Sequence, residues 1–315
     1  MKIVASTGTD DIARVYIADF GDGRLVEFVE SVQPPYPRRE KWVLIISTLF
    51  GCPVGCLMCD AGHAYRGKLS KAELFAQIDF LVKRRFPDGN IAVDKFKIQF
   101  ARMGEPALNR EVLAVLDELP VRYRAPGLIA SLSTVAPAGT ESFFERLLDV
   151  KNSNYSDGRF QFQFSIHTTD ENLRDKLVPM KKWSFAEMAG YGERFYTGGD
   201  RKISLNFALA AGMPVESGIL VRYFDPARFL IKITPLNPTY QAGENGLTSY
   251  IDPSLPGGKD ALIDALRAAG YEVLVSIGEV EENRIGSNCG QYVLTHMNSQ
   301  RPIRGGYSYA IEQHA

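Results

Sequence analysis

Four cysteines in 315 residues are too few for a disulfide framework. Three of them, Cys52, Cys56 and Cys59, crowd together, while Cys289 lies far away. Disulfide-stapled domains multiply and spread their cysteines, so a tight cluster in a cysteine-poor chain points to metal or redox chemistry in a reducing compartment. The chain also lacks a charge excess: 36 basic against 37 acidic residues leave a formal net charge of −1. Nothing global marks it as a polyanion binder. No apolar run reaches the roughly 18–20 residues of a membrane span. Residues 1–10 carry no basic segment followed by an apolar one, so no signal peptide is expected. These absences predict a cytoplasmic protein. Hydrophobic residues at 45% and charged residues at 23% are ordinary globular values and exclude disorder over most of the chain.

What is present is an alternation of apolar strands with amphipathic helices. Strands are expected at 42–48, 95–102, 128–133, 160–166, 202–209 and 229–234, with a short one at 272–277. Helices are expected at 70–86, 109–118, 140–150, 184–195, 214–223 and 258–269. Ser70 and Glu73 form a capping-box pattern at the first of these. Six strand–helix units in series must run parallel, and right-handed crossovers wrap them into an open sheet or a barrel. The expected fold class is α/β: a partial (β/α)6 TIM-type barrel whose active residues sit at the C-terminal strand ends. Before it, Val15–Asp19 and Leu25–Val29 flank Gly21-Asp22-Gly23, a hairpin turn signal. The expected division is a small N-terminal β-hairpin extension over 1–40, the barrel over 41–293 and a C-terminal tail over 294–315.

The cluster reads Cys52-Pro-Val-Gly-Cys56-Leu-Met-Cys59, on the loop after the first barrel strand. Three thiolates at this spacing can ligate three irons of a [4Fe–4S] cube and leave the fourth iron open. A structural zinc site would be closed and tetrahedral, and His63 is the local candidate for its fourth ligand. CxxxCxxC after the first strand of a six-unit chain resembles the signature of radical S-adenosylmethionine (SAM) enzymes. The residue before the third cysteine is commonly aromatic there; here it is Met58.

Further segments resemble one subgroup, the RlmN/Cfr family, which methylates an adenine of ribosomal RNA. In order along the chain they are Arg102-Met-Gly-Glu-Pro-Ala-Leu-Asn109, Ser131-Leu-Ser-Thr134, Ser165-Ile-His167, Asn172-Leu-Arg-Asp175 with Val178-Pro179, Thr234-Pro-Leu-Asn-Pro238 and Asn288-Cys-Gly-Gln291. The resemblance implies a [4Fe–4S] cluster on Cys52, Cys56 and Cys59. It implies SAM contacts from Gly104, Glu105, Ser133, Ser165, His167 and Asn237. It also makes Cys289 the methyl-carrying cysteine and Glu27 the general base. Taken singly, Glu105 reads as a solvated carboxylate, His167 as a structural histidine, Ser133 and Asn237 as caps, Glu27 as an exposed strand residue and Cys289 as a small buried hydrophobe. The ordered set favours the functional reading.

The implied activity is methyl transfer through methylated Cys289 to an sp² carbon of an RNA nucleotide or a nucleotide-like heteroaromatic molecule. A flavodoxin- or ferredoxin-like partner would deliver single electrons, and the enzyme is taken as a monomer with no membrane partner. Two features depart from the family. Its second catalytic cysteine falls at about Ile45, with no substitute elsewhere in the chain, so an external thiol would have to resolve a covalent adduct. Its N-terminal RNA-binding domain has no counterpart before the hairpin. Two alternatives stand beside this reading: a radical SAM enzyme that abstracts hydrogen without methyl transfer, and a non-catalytic iron–sulfur or zinc-binding module.

Overall fold

The computed structural model describes residues 1–32, 34–62, 65–251, 260–276, 278, 280–299 and 301–314. Its strands are β1 (Lys2–Gly8), β2 (Ala13–Asp19), β3 (Leu25–Ser31), β4 (Lys41–Ile46), β5 (Leu49–Phe50), β6 (Gly67–Lys68), β7 (Lys95–Phe100), β8 (Leu128–Thr134), β9 (Phe160–Ser165), β10 (Ile203–Leu209), β11 (Phe229–Pro235), β12 (Val273–Val275) and β13 (Glu312–Gln313). The helices are α1 (Lys71–Arg85), α2 (Glu111–Arg122), α3 (Glu141–Asn154), α4 (Glu171–Leu177), α5 (Phe185–Phe195), α6 (Ser217–Tyr223), α7 (Tyr240–Glu244), α8 (Asp260–Ala268), α9 (Val280–Ile285) and α10 (Val293–Ser299). Among the described residues no helix is long and apolar enough to cross a membrane.

Eleven strands form one sheet in the order β12-β11-β10-β9-β8-β7-β4-β3-β2-β1-β13. From β4 to β12 every neighbouring pair is parallel and in chain order. A helix lies in each of the six connections. A sequence-ordered parallel sheet has no point where strand order reverses, so it curls in one direction, as in a barrel, rather than binding ligands at a switch point. Here β12 and β13 remain edges, so no closed barrel forms.

The alternation of each strand divides the sheet into two faces. Trp42, Leu44 and Ile46 on β4, Phe96, Ile98 and Phe100 on β7, and their counterparts through β11 pack into the main core with the helices. α1 supplies Leu74, Ile78 and Leu81 to it, and its Ser70 capping box forms as the sequence implies. The opposite residues, such as Lys97, Gln99, Ser133, Ser165 and Lys232, are only partly buried and face away from the helices. This helix-free face is the inside of the curled sheet.

The N-terminal hairpin is larger than its turn signal suggested. Gly21, Asp22 and Gly23 all have positive φ, as the tight turn requires. The strands that it joins, β2 and β3, are flanked by β1 on one side and β4 on the other, all antiparallel. β1 and β13 went unread because neither carries a turn signal of its own; β13 is two residues long and pairs with β1 across the whole chain length. The extension is therefore continuous with the barrel sheet. One of its faces carries Ala5, Val15, Ile17 and Val29, which pack against Ile285 of α9 and Val293 of α10. That packing folds the C-terminal segment back over the mouth of the curled sheet.

Candidate active site

The cysteine loop begins where β4 and β5 end. Gly51 and Gly55 turn it through positive φ. Cys52 N–H donates to Ala61 O at 3.0 Å, and Cys59 N–H to Cys56 O at 3.1 Å, so the loop is closed by its own backbone. The three thiols are partly accessible yet desolvated. Burial pushes Cys52 up to about 11, and Cys56 and Cys59 further above the usual thiol range. Among the described residues no group of three or more His, Cys, Asp or Glu side chains converges on a single metal ion, and His63 lies outside the described residues. A zinc ion needs its donors about 2.3 Å from one point, whereas a cube gives each thiolate its own iron. Three thiols on one loop are the donor number that a cube with one open iron takes.

Cys289 reaches the same place from the other end of the chain. Asp60 N–H donates to Gly290 O at 2.9 Å, and a Cβ on Gly290 would stand 3.0 Å from Met58 O. Gly290, at φ +83°, must be glycine for this close approach. Asn237, after β11, donates its amide to Cys289 O at 3.0 Å. Thr239 Oγ1 donates to Met58 O at 3.1 Å, and Asp60 accepts from the N–H groups of Tyr240 and Gln241. Cys289 is exposed, but enclosing protein desolvates its thiol and raises its pKa, against the pull of Lys232 and Arg102. That combination describes a thiol on a cavity wall. Both Cys56 and Cys59 sense its charge. The fold thus gathers all four cysteines at one end of the sheet.

What positions Cys289 is a buried clamp. Arg102, at the end of β7, donates to Gly286 O (2.7 Å), Ser287 O (2.9 Å) and Asn288 O (3.1 Å), the three carbonyls before Cys289. It also ion-pairs with Glu27 Oε1 of β3, and both side chains are almost wholly buried. Glu27 Oε2 accepts Leu294 N–H at 3.0 Å, at the start of α10. Arg102 lies over the Tyr292 ring, 4.8 Å from its centroid, while Tyr292 Oη donates to Arg102 O. Glu27, which the resemblance makes the general base, has both oxygens engaged, one by Arg102 and one by Leu294 N–H. Burial raises its pKa against the opposing pull of Arg102. Arg102 lies within the Arg102–Asn109 segment, and its role emerges only from the distant carbonyls and carboxylate that it meets.

The remaining residues line the C-terminal ends of β7–β11. Glu105 is buried and accepts from Thr134 Oγ1 (2.5 Å), Ala107 N–H (3.0 Å) and Val135 N–H (2.9 Å). Burial lifts its pKa to about 7 against these three donors. Gly104, read as a close approach to ligand, has another reason to be glycine: at φ +98° its Cβ would lie 2.5 Å from Leu49 Cβ. His167, in the left-handed region at φ +68°, accepts Ala208 N–H on Nδ1 at 3.2 Å, which leaves the proton on Nε2. Burial lowers its pKa to about 4, so it is neutral at pH 7. Ser165 stands in register with Asn206 on β10. Ser133 Oγ and Asn206 Oδ1 are buried with no hydrogen-bond partner. Orphaned buried polar atoms are rare and costly. Here they alternate onto the helix-free face of the sheet, where a polar ligand such as SAM would satisfy them. Asn206 was not among the expected site residues; its place emerges only from strand register.

No protein-family profile matches the chain. It is 25% identical over 295 residues, covering 91% of this chain and 76% of the relative, to a "Probable dual-specificity RNA methyltransferase RlmN" of Desulfitobacterium hafniense (strain DSM 10664 / DCB-2). It is 29% identical over 293 residues, covering 90% and 74%, to the protein of the same name in Streptomyces griseus subsp. griseus. Among solved structures it matches a radical SAM methyltransferase from Sphaerobacter thermophilus with a TM-score of 0.72 at 23% identity, over 92% of this chain and 80% of that one. The chain is therefore similar to RlmN over most of its length and has the fold of a radical SAM methyltransferase.

Proposed function

We infer that the chain is an RlmN-like radical SAM enzyme that transfers a one-carbon unit through Cys289 to an unactivated sp² carbon. The observation that carries this is the convergence of Cys289 with Cys52, Cys56 and Cys59, from opposite ends of the sequence, at one mouth of the sheet. Cys52, Cys56 and Cys59 would hold a [4Fe–4S] cluster. Ser133, Ser165, His167, Asn206 and Glu105 are the groups that would meet SAM, with Gly104 shaping the turn that carries Glu105. Such a cluster with SAM supplies a methyl group and, after one-electron reduction by a flavodoxin- or ferredoxin-like donor, a 5′-deoxyadenosyl radical.

The chain's own residues then have defined tasks. Glu105, as a carboxylate, accepts from an ammonium donor. Neutral His167 donates through Nε2, because Nδ1 is committed to Ala208. Asn237 holds the Cys289 backbone and keeps Oδ1 for a ligand edge. Arg102 and Glu27 fix the carbonyls before Cys289, so its sulfur and any methyl group on it keep one position. An aromatic carbon is a weak nucleophile, and a carbon already held at a fixed sulfur removes the need for it to attack. Release of product calls for a thiol from outside the chain. The position of the family's second cysteine is Ile45, in register with Val29 and Gln99, and its side chain is hydrocarbon. The acceptor is an RNA nucleotide or a nucleotide-like heteroaromatic molecule, and the enzyme works in the cytoplasm.

Mass analysis of peptides after incubation of reconstituted enzyme with SAM tests the reading. One added methyl group on Cys289 is expected, together with 5′-deoxyadenosine after reduction. Unmodified Cys289 beside abundant 5′-deoxyadenosine would replace methyl transfer with plain hydrogen abstraction.

A further inference from the structure

The helix-free face carries a charge pattern that methyl transfer through Cys289 does not require. On β4 and β7–β11 the charged residues that alternate away from the helices are Lys41, Lys95, Lys97 and Lys232; these strands add no Asp or Glu, and Glu282 of α9 acts on Lys41. Lys41 and Lys95 stand in register at the N-terminal ends of β4 and β7. Lys97 and Lys232 lie further in. β7 and β11 are four strands apart, about 19 Å across a flat sheet. Lys232 is nevertheless the largest charge acting on Lys97, so the curl of the sheet brings the two side chains, which alternate onto the same face, within electrostatic range across the interior.

Neither group has an ion-pair partner among the described residues, and Cys289 is the acidic group that acts on Lys232. Lys97 has no hydrogen-bond or ion-pair partner among the described residues, and Lys232 makes a long contact of 3.4 Å to Gln163 Oε1. Burial holds both below the ordinary lysine range, Lys97 further because other cations surround it. Enclosing two ammonium groups without an anion is costly, and a fold keeps such an arrangement when a ligand supplies the missing charge. Lys232 is close enough to Cys289 to feel its charge, and it stands in register with Asn206. An anion held at Lys232 would therefore lie within electrostatic range of the Cys289 sulfur.

We propose that Lys97 and Lys232 bind an oxyanion of the substrate, a phosphate or carboxylate, inside the curled sheet, and that the substrate is a small heteroaromatic molecule entering anion first. This rests on the methyl-transfer reading and narrows its acceptor. A nucleotide within an RNA chain would enter base first, with its phosphates left at the rim. It would set a neutral ring against both lysines.

The test compares matched probes on the reconstituted holoenzyme with SAM present: 5′-AMP against adenosine, quinoline-2-carboxylate against quinoline, and an adenine-containing RNA hairpin. A charge-assisted contact to two ammonium groups should favour the anionic member of at least one pair by about tenfold or more. The pair that responds tells phosphate from carboxylate. Lys97→Met and Lys232→Met should each remove most of the preference, and Lys97→Arg should keep part of it. Lys97→Met should also raise the melting temperature, since it removes an unpaired buried charge, whereas a structurally needed lysine would lower it. Equal binding within both pairs overturns the proposal. So does hairpin binding tighter than any small anion, or variants that weaken SAM but not the anion preference. Iron and 5′-deoxyadenosine are measured on the same preparation. Anion preference without 5′-deoxyadenosine supports the lysine site and refutes the radical reading; 5′-deoxyadenosine without anion preference overturns the lysine site alone.

Discussion

Two cysteine-bearing loops meet at the mouth of this sheet, and they are held there in different ways. The loop of Cys52, Cys56 and Cys59 is local: glycines turn it, and its own backbone hydrogen bonds close it. The loop of Cys289 has little structure of its own. Arg102 from β7 grips three of its carbonyls, Glu27 from β3 holds Arg102 and the start of α10, and Asn237 holds Cys289 itself. The first loop adds neutral hydrogen bonds with Leu177, Thr239 and Gly290, whereas the second also depends on a buried ion pair. The lesson is that damage to the two should separate: changes in the first loop should cost the cluster that we propose, and changes around Arg102 the position of Cys289.

The largest separation should come from Cys59→Ala. Reconstituted variant protein should lose its [4Fe–4S] absorbance and with it all 5′-deoxyadenosine, while circular dichroism shows the fold retained; a variant that keeps a full complement of iron would break the comparison from one side.

Arg102→Ala should do the converse. It leaves Glu27 buried without a partner, a change that typically costs about 3–5 kcal/mol, readable by denaturant unfolding. Iron should still load, but methylation of Cys289 should fall at least about a hundredfold. Glu27→Gln sharpens the point. If Glu27 is a support, stability and Cys289 methylation fall together; loss of turnover at unchanged stability would return Glu27 to the role of base.

His167 gives a pH handle on the fold around the site. Its folded pKa of about 4 lies below its ordinary value of 6.5. At neutral pH both folded and unfolded forms are unprotonated, so nothing is lost. Between about pH 6.5 and 4 the unfolded chain takes up a proton that the folded one refuses. Unfolding free energy should therefore drop by up to about 1.4 kcal/mol per pH unit as pH falls through that window. His167→Asn, which tolerates the left-handed backbone, should flatten the slope. An unchanged slope in urea titrations would show that His167 is not the group responsible.

The smallest effect is expected for Asn237→Ala, which removes one hydrogen bond to a backbone carbonyl worth about 1 kcal/mol. Methylation of Cys289 should slow a few-fold with iron content unchanged. A loss as large as that of Arg102→Ala would mean that Asn237 also meets the ligand directly.

Much of the site was legible because its chemistry is local. The CxxxCxxC spacing, the strand ends with Ser133, Ser165 and His167, and Asn288-Cys-Gly-Gln are short segments whose residue types announce polar or thiolate chemistry. The six strand–helix units were legible from period alone, and the Ser70 cap formed as read. What escaped was long-range. Glu27 read as a free carboxylate because nothing near it in sequence pairs with it; its partner is Arg102. β13 is two residues long and gains meaning only against β1. Lys97 and Lys232 each alternate with core residues, and only the curl of the sheet brings them within electrostatic range of each other.

The sequence by itself determined the parallel strand–helix series, the two-faced strands and the cysteine-bearing loop, because periodicity, turn chemistry and thiol spacing act over a few residues. Tertiary structure decided which distant charges meet: Arg102 with Glu27 behind Cys289, and Lys97 with Lys232 across the interior. Electrostatic partnership depends on distance in space and on exclusion of water. Neither exists until the sheet has curled and the C-terminal helices have closed over its mouth.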